Sequence, residues 1–77
     1  MTPQQFEDFE YLIEREKFTD VIIEKDEEET CFSIYPKMHG GSLSDVVLRK
    51  VLAMAETLDL CYFVGYNRLH NFSLEVF

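Results

Sequence analysis

Residues 18–36 read FTDVIIEKDEEETCFSIYP, two β-branched and aromatic runs either side of a polar break. Such runs suit strands, and Pro36, with no N–H to donate, closes the second. The break Asp26-Glu27-Glu28-Glu29 reads as a four-residue turn that folds the segment into a hairpin. That turn sets Ile23 opposite Phe32 and Val21 opposite Ile34, with these side chains directed at a core.

Working outward, a helix precedes the hairpin. Thr2 is placed to cap it, Pro3 fits its first position, and Gln5 completes a capping box. Phe6, Phe9, Leu12 and Ile13 then recur at helical spacing, which predicts a helix over 3–17. Downstream the order repeats. Gly40-Gly41 breaks the chain and Ser42 is the expected cap, with Asp45 three residues on. Leu43, Val47, Val51, Met54 and Leu58 form the stripe of a helix over 43–58. Two further runs, 60–65 and 70–76, flank a turn at 66–69. Phe63 is expected opposite Phe72 and Cys61 opposite Leu74, again facing the core.

An offset of 40 brings the halves into register: Thr2 falls on Ser42, and Phe32-Ser33-Ile34 on Phe72-Ser73-Leu74. The expectation is one α+β domain spanning 1–77, with unit one at 2–36 and unit two at 42–77. Its order is αββαββ, a four-stranded antiparallel sheet with two helices on one face. This is a permuted ferredoxin-like topology; the likeness is topological, and no family motif accompanies it.

Strand parity assigns the remaining residues to the opposite sheet face. In the first half these are Asp20, Ile22, Glu24, Cys31, Ser33 and Tyr35. In the second they are Leu60, Tyr62, Val64, Asn71, Ser73 and Glu75, with Phe77 beyond them. The first half roughly alternates into polar residues here, as one solvated side of a sheet should. The run Leu60-Cys61-Tyr62-Phe63-Val64 is apolar on both sides. Either it is a central strand, or Ile22, Tyr35, Leu60, Tyr62 and Val64 form an interface with a second copy or another partner.

Charge is divided as sharply. Residues 1–30 carry eleven acids against Arg15, Lys17 and Lys25, which accounts for the whole net charge of −8. Glu7, Asp8, Glu10 and Glu14 are expected on the outer face of the first helix, and Asp26, Glu27, Glu28 and Glu29 at the hairpin tip. Such a field keeps a small protein dispersed, and it also attracts a basic protein surface. The specific expectation is a non-enzymatic interaction domain, an inhibitor or regulator that mimics nucleic acid before a nucleic-acid-binding protein. Small phage-encoded inhibitors have this size and charge. A structural homodimer or subunit, or a small ligand-binding domain on the open face, is the alternative.

Chemistry finds little support. Cys31 and Cys61 lie in no CxxC, and His39 and His70 stand alone, so metal-ligand spacing is missing and free thiols are expected. Lys37-Met38-His39-Gly40-Gly41-Ser42 lacks the spacing of a phosphate-binding loop. Ser42 and Cys61 are the only nucleophiles with a conceivable nearby His, and no third group completes a site. No cofactor, metal or enzymatic activity is expected. Tyr35 and Tyr62 correspond in position to the base-stacking aromatics of RNA-binding sheets, yet seven bases are too few for direct nucleic-acid binding. No apolar run approaches the ~20 residues that cross a bilayer, and the N-terminus lacks the order of a signal peptide. A cytoplasmic protein is the expectation.

Overall fold

The computed structural model describes residues 1–38, 41–65 and 72–77. Its elements run α1 (Pro3–Glu16), β1 (Val21–Asp26), β2 (Cys31–Pro36), α2 (Asp45–Thr57), β3 (Tyr62–Gly65) and β4 (Ser73–Val76). The strands form one antiparallel sheet in the order β1-β2-β4-β3. This is the expected α+β class, and the order fits the permuted ferredoxin-like scheme. Expectations for His39, Gly40, the 66–69 turn, His70 and Asn71 lie outside the described residues.

The start of α1 is as the sequence reads. Thr2 Oγ1 accepts from the Gln5 amide at 3.1 Å, and Gln5 Oε1 accepts from the Thr2 amide at 2.8 Å. Two donors otherwise orphaned in the first turn are thus satisfied. The Gln5 side chain also donates to the Leu58 carbonyl at the end of α2, at 2.8 Å. At the opposite end of α1, Glu16 receives Lys50 of α2 at 2.8 Å. The helices therefore lie antiparallel, pinned at both ends.

The cap of α2 differs from expectation. Ser44, not Ser42, accepts from the Val47 amide at 3.2 Å. The later start leaves Leu43 outside the helix but buried, and Leu43 and Leu48 join the same apolar cluster. A residue before the cap packing with one in the second turn is a hydrophobic staple. Burying Leu43 from outside the helix fixes where the helix begins.

Both helices cover one sheet face. Phe9 and Ile13 of α1 and Val51, Met54 and Ala55 of α2 meet Phe32 and Ile34 of β2 and Leu74 and Val76 of β4. Phe32 anchors α1, stacked on Phe6 at 4.6 Å between ring centroids and tilted against Phe9 at 4.9 Å. Fully burying one such side chain contributes about 1.5–3 kcal/mol.

Both hairpins correct the expected register. In the first, Ile23 opposes Ile34, Lys25 opposes Phe32 and Val21 opposes Pro36. The ladder runs on to Asp26 and Cys31, so the turn is Glu27 to Thr30, one residue later than expected. Asp26 causes this: its Oδ1 accepts the Glu28 and Glu29 amides, each at 3.0 Å, and Thr30 closes the turn at φ 50°. The slip is two residues, so every side chain keeps its face.

In the second hairpin Val64 opposes Leu74 and Tyr62 opposes Val76. The displacement is three residues, and an odd slip exchanges faces. Directly opposed residues share a face, so Tyr62 and Val64 lie on the helix side and Phe63 beside Glu75 on the open side. The expected core positions of Phe63 and Cys61, and the open-face positions of Leu60, Tyr62 and Val64, are thereby reversed. The cause lies at the end of α2. Asp59 adopts φ 56° and the Leu60 amide donates to the Ala55 carbonyl at 2.8 Å. That turn packs Leu60 against the core, and alternation then carries residues 62 and 64 to the same side. Nor is β3 central. It is an edge, as β1 is.

Candidate functional site

The α1 acids do not form a single cluster. Glu7, Glu10 and Glu14 follow three- and four-residue spacing and share one flank. Asp8 lies about 100° further round, away from Glu10, and receives the Gln4 amide at 2.9 Å. Glu7 and Glu14 are exposed, while Glu10 is half-buried where α1 meets β1.

Lys25 is what joins helix to hairpin. Paired with Phe32, it sits on the helix side of β1, and its Nζ reaches Glu10 at 2.5 Å and Glu27 at 3.6 Å. The hydrogen bond it donates to Glu10 holds its pKa above the ordinary lysine value, against a smaller opposing effect of burial. The Thr30 hydroxyl donates to the Met1 carbonyl at 3.0 Å, tying the hairpin tip to the start of α1. One carboxylate of the α1 flank, Glu10, and one of the tip, Glu27, therefore meet at one lysine. All four tip residues are exposed.

Between α1 and β1 runs a groove of about 350 Å³ that the sequence did not reveal. Ile13, Phe18, Ile23 and Phe32 supply its apolar lining, and Glu10, Glu14, Lys17 and Lys25 its charged lining. Its apolar residues were legible as core; their incomplete cover follows from β1 being an edge strand.

The five residues expected to share an apolar interface do not share one. Ile22 and Tyr35 are opposed on the open face. Tyr35 is 5% exposed, and its hydroxyl donates to Glu24. That hydrogen bond first, and burial second, raise the Tyr35 pKa above the ordinary tyrosine value. Leu60 packs against the core. Tyr62 and Val64 lie on the helix side of β3, beyond the cover of the helices, and are 48% and 45% exposed. Tyr35 and Tyr62 thus occupy opposite faces, which removes the geometric basis for a base-stacking platform built on both.

Phe63 is the residue that sequence reading misplaced most. It is 60% exposed on the open face, and its ring lies over Gly65, where an added Cβ would stand 2.9 Å from Cε1. Phe77 is exposed beside it, and the two help line a hollow of about 530 Å³ with Met1, Glu29, Cys31 and Glu75. Glu75 is held by the Ser33 hydroxyl at 2.6 Å.

Cys31 is half-buried and Cys61 exposed, both as free thiols. Burial, reinforced by Asp26, Glu75 and Glu29, raises the Cys31 pKa, which disfavours the nucleophilic thiolate. Among the described residues, no three His, Cys, Asp or Glu side chains are grouped to hold a metal ion. No described helix is long and apolar enough to cross a membrane. No protein-family model matches the chain, and comparison with curated proteins and with solved structures gave no match.

Proposed function

We propose that this is a non-enzymatic docking domain whose acidic half engages a basic protein surface, most concretely the nucleic-acid-binding surface of a protein it inhibits or regulates. One observation supports this reading: Lys25 contacts both Glu10 of the helix flank and Glu27 of the hairpin tip, which brings the two acidic segments next to each other. A field of that extent persists over the ~8 Å Debye length of physiological salt and accelerates encounter with opposite charge. Exposed carboxylates also offer the Arg and Lys side chains of a phosphate-binding groove charge-assisted hydrogen-bond acceptors.

The test is binding of the partner captured from the native host, followed at increasing salt. The on-rate is expected to fall steeply as screening rises, with the off-rate changing less. A variant carrying Glu7→Lys, Glu14→Lys, Glu27→Lys and Glu28→Lys should bind at least about tenfold more weakly while remaining folded, because all four side chains are exposed. A partner with a neutral or acidic contact face, or a reversal variant that binds like the unchanged chain, would defeat the proposal.

A further inference from the structure

On the open face, Phe63 of β3 stands directly opposite Glu75 of β4, and Glu75 directly opposite Ser33 of β2. Phe77 continues β4 by one rung, since it exchanges both backbone bonds with Cys61, at 2.8 and 2.9 Å. Two residues beyond Glu75, it returns to the same face. The two phenylalanines are therefore diagonal neighbours across the ladder, roughly 7–8 Å apart. Both are exposed, and Met1, Glu29 and Cys31 complete the hollow with them and Glu75. Its volume of about 530 Å³ lies within the range of about 300–1,000 Å³ usual for ligand sites.

The side chains lining this hollow carry charge of one sign. Glu29 and Glu75 are among them, and no Lys or Arg side chain is. Among the described residues, neither carboxylate has an ion-pair partner. Glu75 accepts the Ser33 hydroxyl on one oxygen, at 2.6 Å, and a carboxylate has lone pairs for further donors. The Cys31 thiol registers the same potential. Burial raises its pKa most, and Asp26, Glu75 and Glu29 raise it further, while the Met1 amino group opposes them less than any of these.

We infer that this hollow receives an arginine side chain of the basic partner, its guanidinium lying against Phe63 and Phe77 and donating to Glu29 and Glu75. The inference rests on the acidic-docking reading and names the contact that anchors it. An aromatic ring is apolar, yet its face carries negative charge density that attracts a cation. Carboxylates beside such rings disfavour an anionic or purely apolar occupant, which leaves a cation as the complementary one. Arginine suits the hollow better than lysine. Its planar guanidinium is weakly hydrated, stacks on rings and offers carboxylates a fork of donors, whereas the lysine ammonium is compact and strongly hydrated. A second concavity adjoins the hollow at Cys31, lined by Glu24, Asp26, Glu27 and Glu28 against Lys25 alone. The tip acids thus steer a basic surface inward, and the hollow holds one of its side chains.

Titration of the full chain with Nα-acetyl-arginine amide, followed by NMR, tests this. The ring resonances of Phe63 and Phe77 and the Glu75 amide should shift together. The dissociation constant should be roughly millimolar, as a ligand of about fifteen non-hydrogen atoms allows. Nα-acetyl-lysine amide should bind more weakly, and the neutral Nα-acetyl-norleucine amide should leave these resonances in place. Phe63→Leu keeps the hollow apolar, and Glu75→Gln keeps an acceptor for Ser33; each should weaken arginine binding at least about threefold. Both variants should fold, Phe63 being exposed. Norleucine amide binding as tightly as the arginine amide overturns the inference. So do arginine-induced shifts confined to the α1 flank and the hairpin tip, a result that leaves acidic docking standing. The four-fold charge-reversal variant separates the two readings, because it retains Glu29 and Glu75. It should lose the partner through the on-rate yet bind the arginine amide within about fivefold of the unchanged chain at ~0.15 M salt. Phe63→Leu should instead weaken the partner through the off-rate. Loss of the arginine amide from the hollow in the reversal variant would mean that the field alone holds the probe, and would also overturn the inference.

Discussion

Ile34 and Leu74 stand directly opposite one another across the β2–β4 ladder, and both are completely buried. They are also forty positions apart, the offset at which the sequence suggests a repeat, although the α2 cap at Ser44 and the exchanged faces of β3 depart from that offset. In an antiparallel ladder only one position can face its own counterpart, and here it lies at the centre of the core. Truncating either side chain to Ala should cost about 2–5 kcal/mol, comparable with the roughly 3–5 kcal/mol that a core of this size supplies. Urea titration of Ile34→Ala and Leu74→Ala should show a largely unfolded or severely destabilised chain, whereas Ile34→Val should lose only about 0.5–1.5 kcal/mol. A midpoint for Leu74→Ala close to that of the unchanged protein would contradict this packing.

The helix caps give a sharper comparison. Ser44→Ala and Thr2→Ala should each destabilise by about 1 kcal/mol, while Ser42→Ala should stay within about 0.5 kcal/mol of the unchanged chain. Equal losses at Ser42 and Ser44 would mean that α2 does not begin where Leu43 is buried.

Within the acidic tip, position matters more than charge. Asp26 holds two backbone amides and Glu28 holds no described bond through its side chain. Asp26→Ala should therefore cost about 0.5–1.5 kcal/mol, and Glu28→Ala close to nothing. Chemical denaturation of the two variants in parallel decides the matter. It is for this reason that the docking test reverses Glu27 and Glu28 and leaves Asp26 in place.

Alkaline pH should act through Tyr35. Its folded-state pKa is raised, chiefly by donation to Glu24. The folded chain thus holds a proton that the unfolded chain has already released. Stability from this source is complete below the ordinary tyrosine pKa of about 10 and is lost as pH rises through the higher folded value. Tyrosinate absorbance should show a late-titrating component that Tyr35→Phe removes. Its persistence in Tyr35→Phe would assign it to another residue.

What the sequence disclosed, and what it did not, divides along the range of the forces involved. The Thr2–Gln5 capping box, the α1 stripe and the core parity of β2 and β4 follow from contacts within a few residues. The registers do not. Thr30 and Asp59 adopt positive φ without being glycine, so composition gave no notice of where each turn closes. Asp26 moved the first turn by one residue and left every face intact. Asp59 and Leu60 moved the second hairpin by an odd number and exchanged the faces of β3. The acids of α1 were legible from spacing; Lys25 was not, because its place between Glu10 and Glu27 depends on that same register. Phe63 was hidden for the same reason.

The two margins of the sheet are chemically unlike. β1 ends in Glu24, Lys25 and Asp26, whereas β3 is uncharged from Tyr62 to Gly65. The charged protection usual at a sheet margin is thus present on one side of the molecule and missing on the other, so strand addition to this sheet is directional: a strand joining along β1 meets two carboxylates, and one joining along β3 meets none.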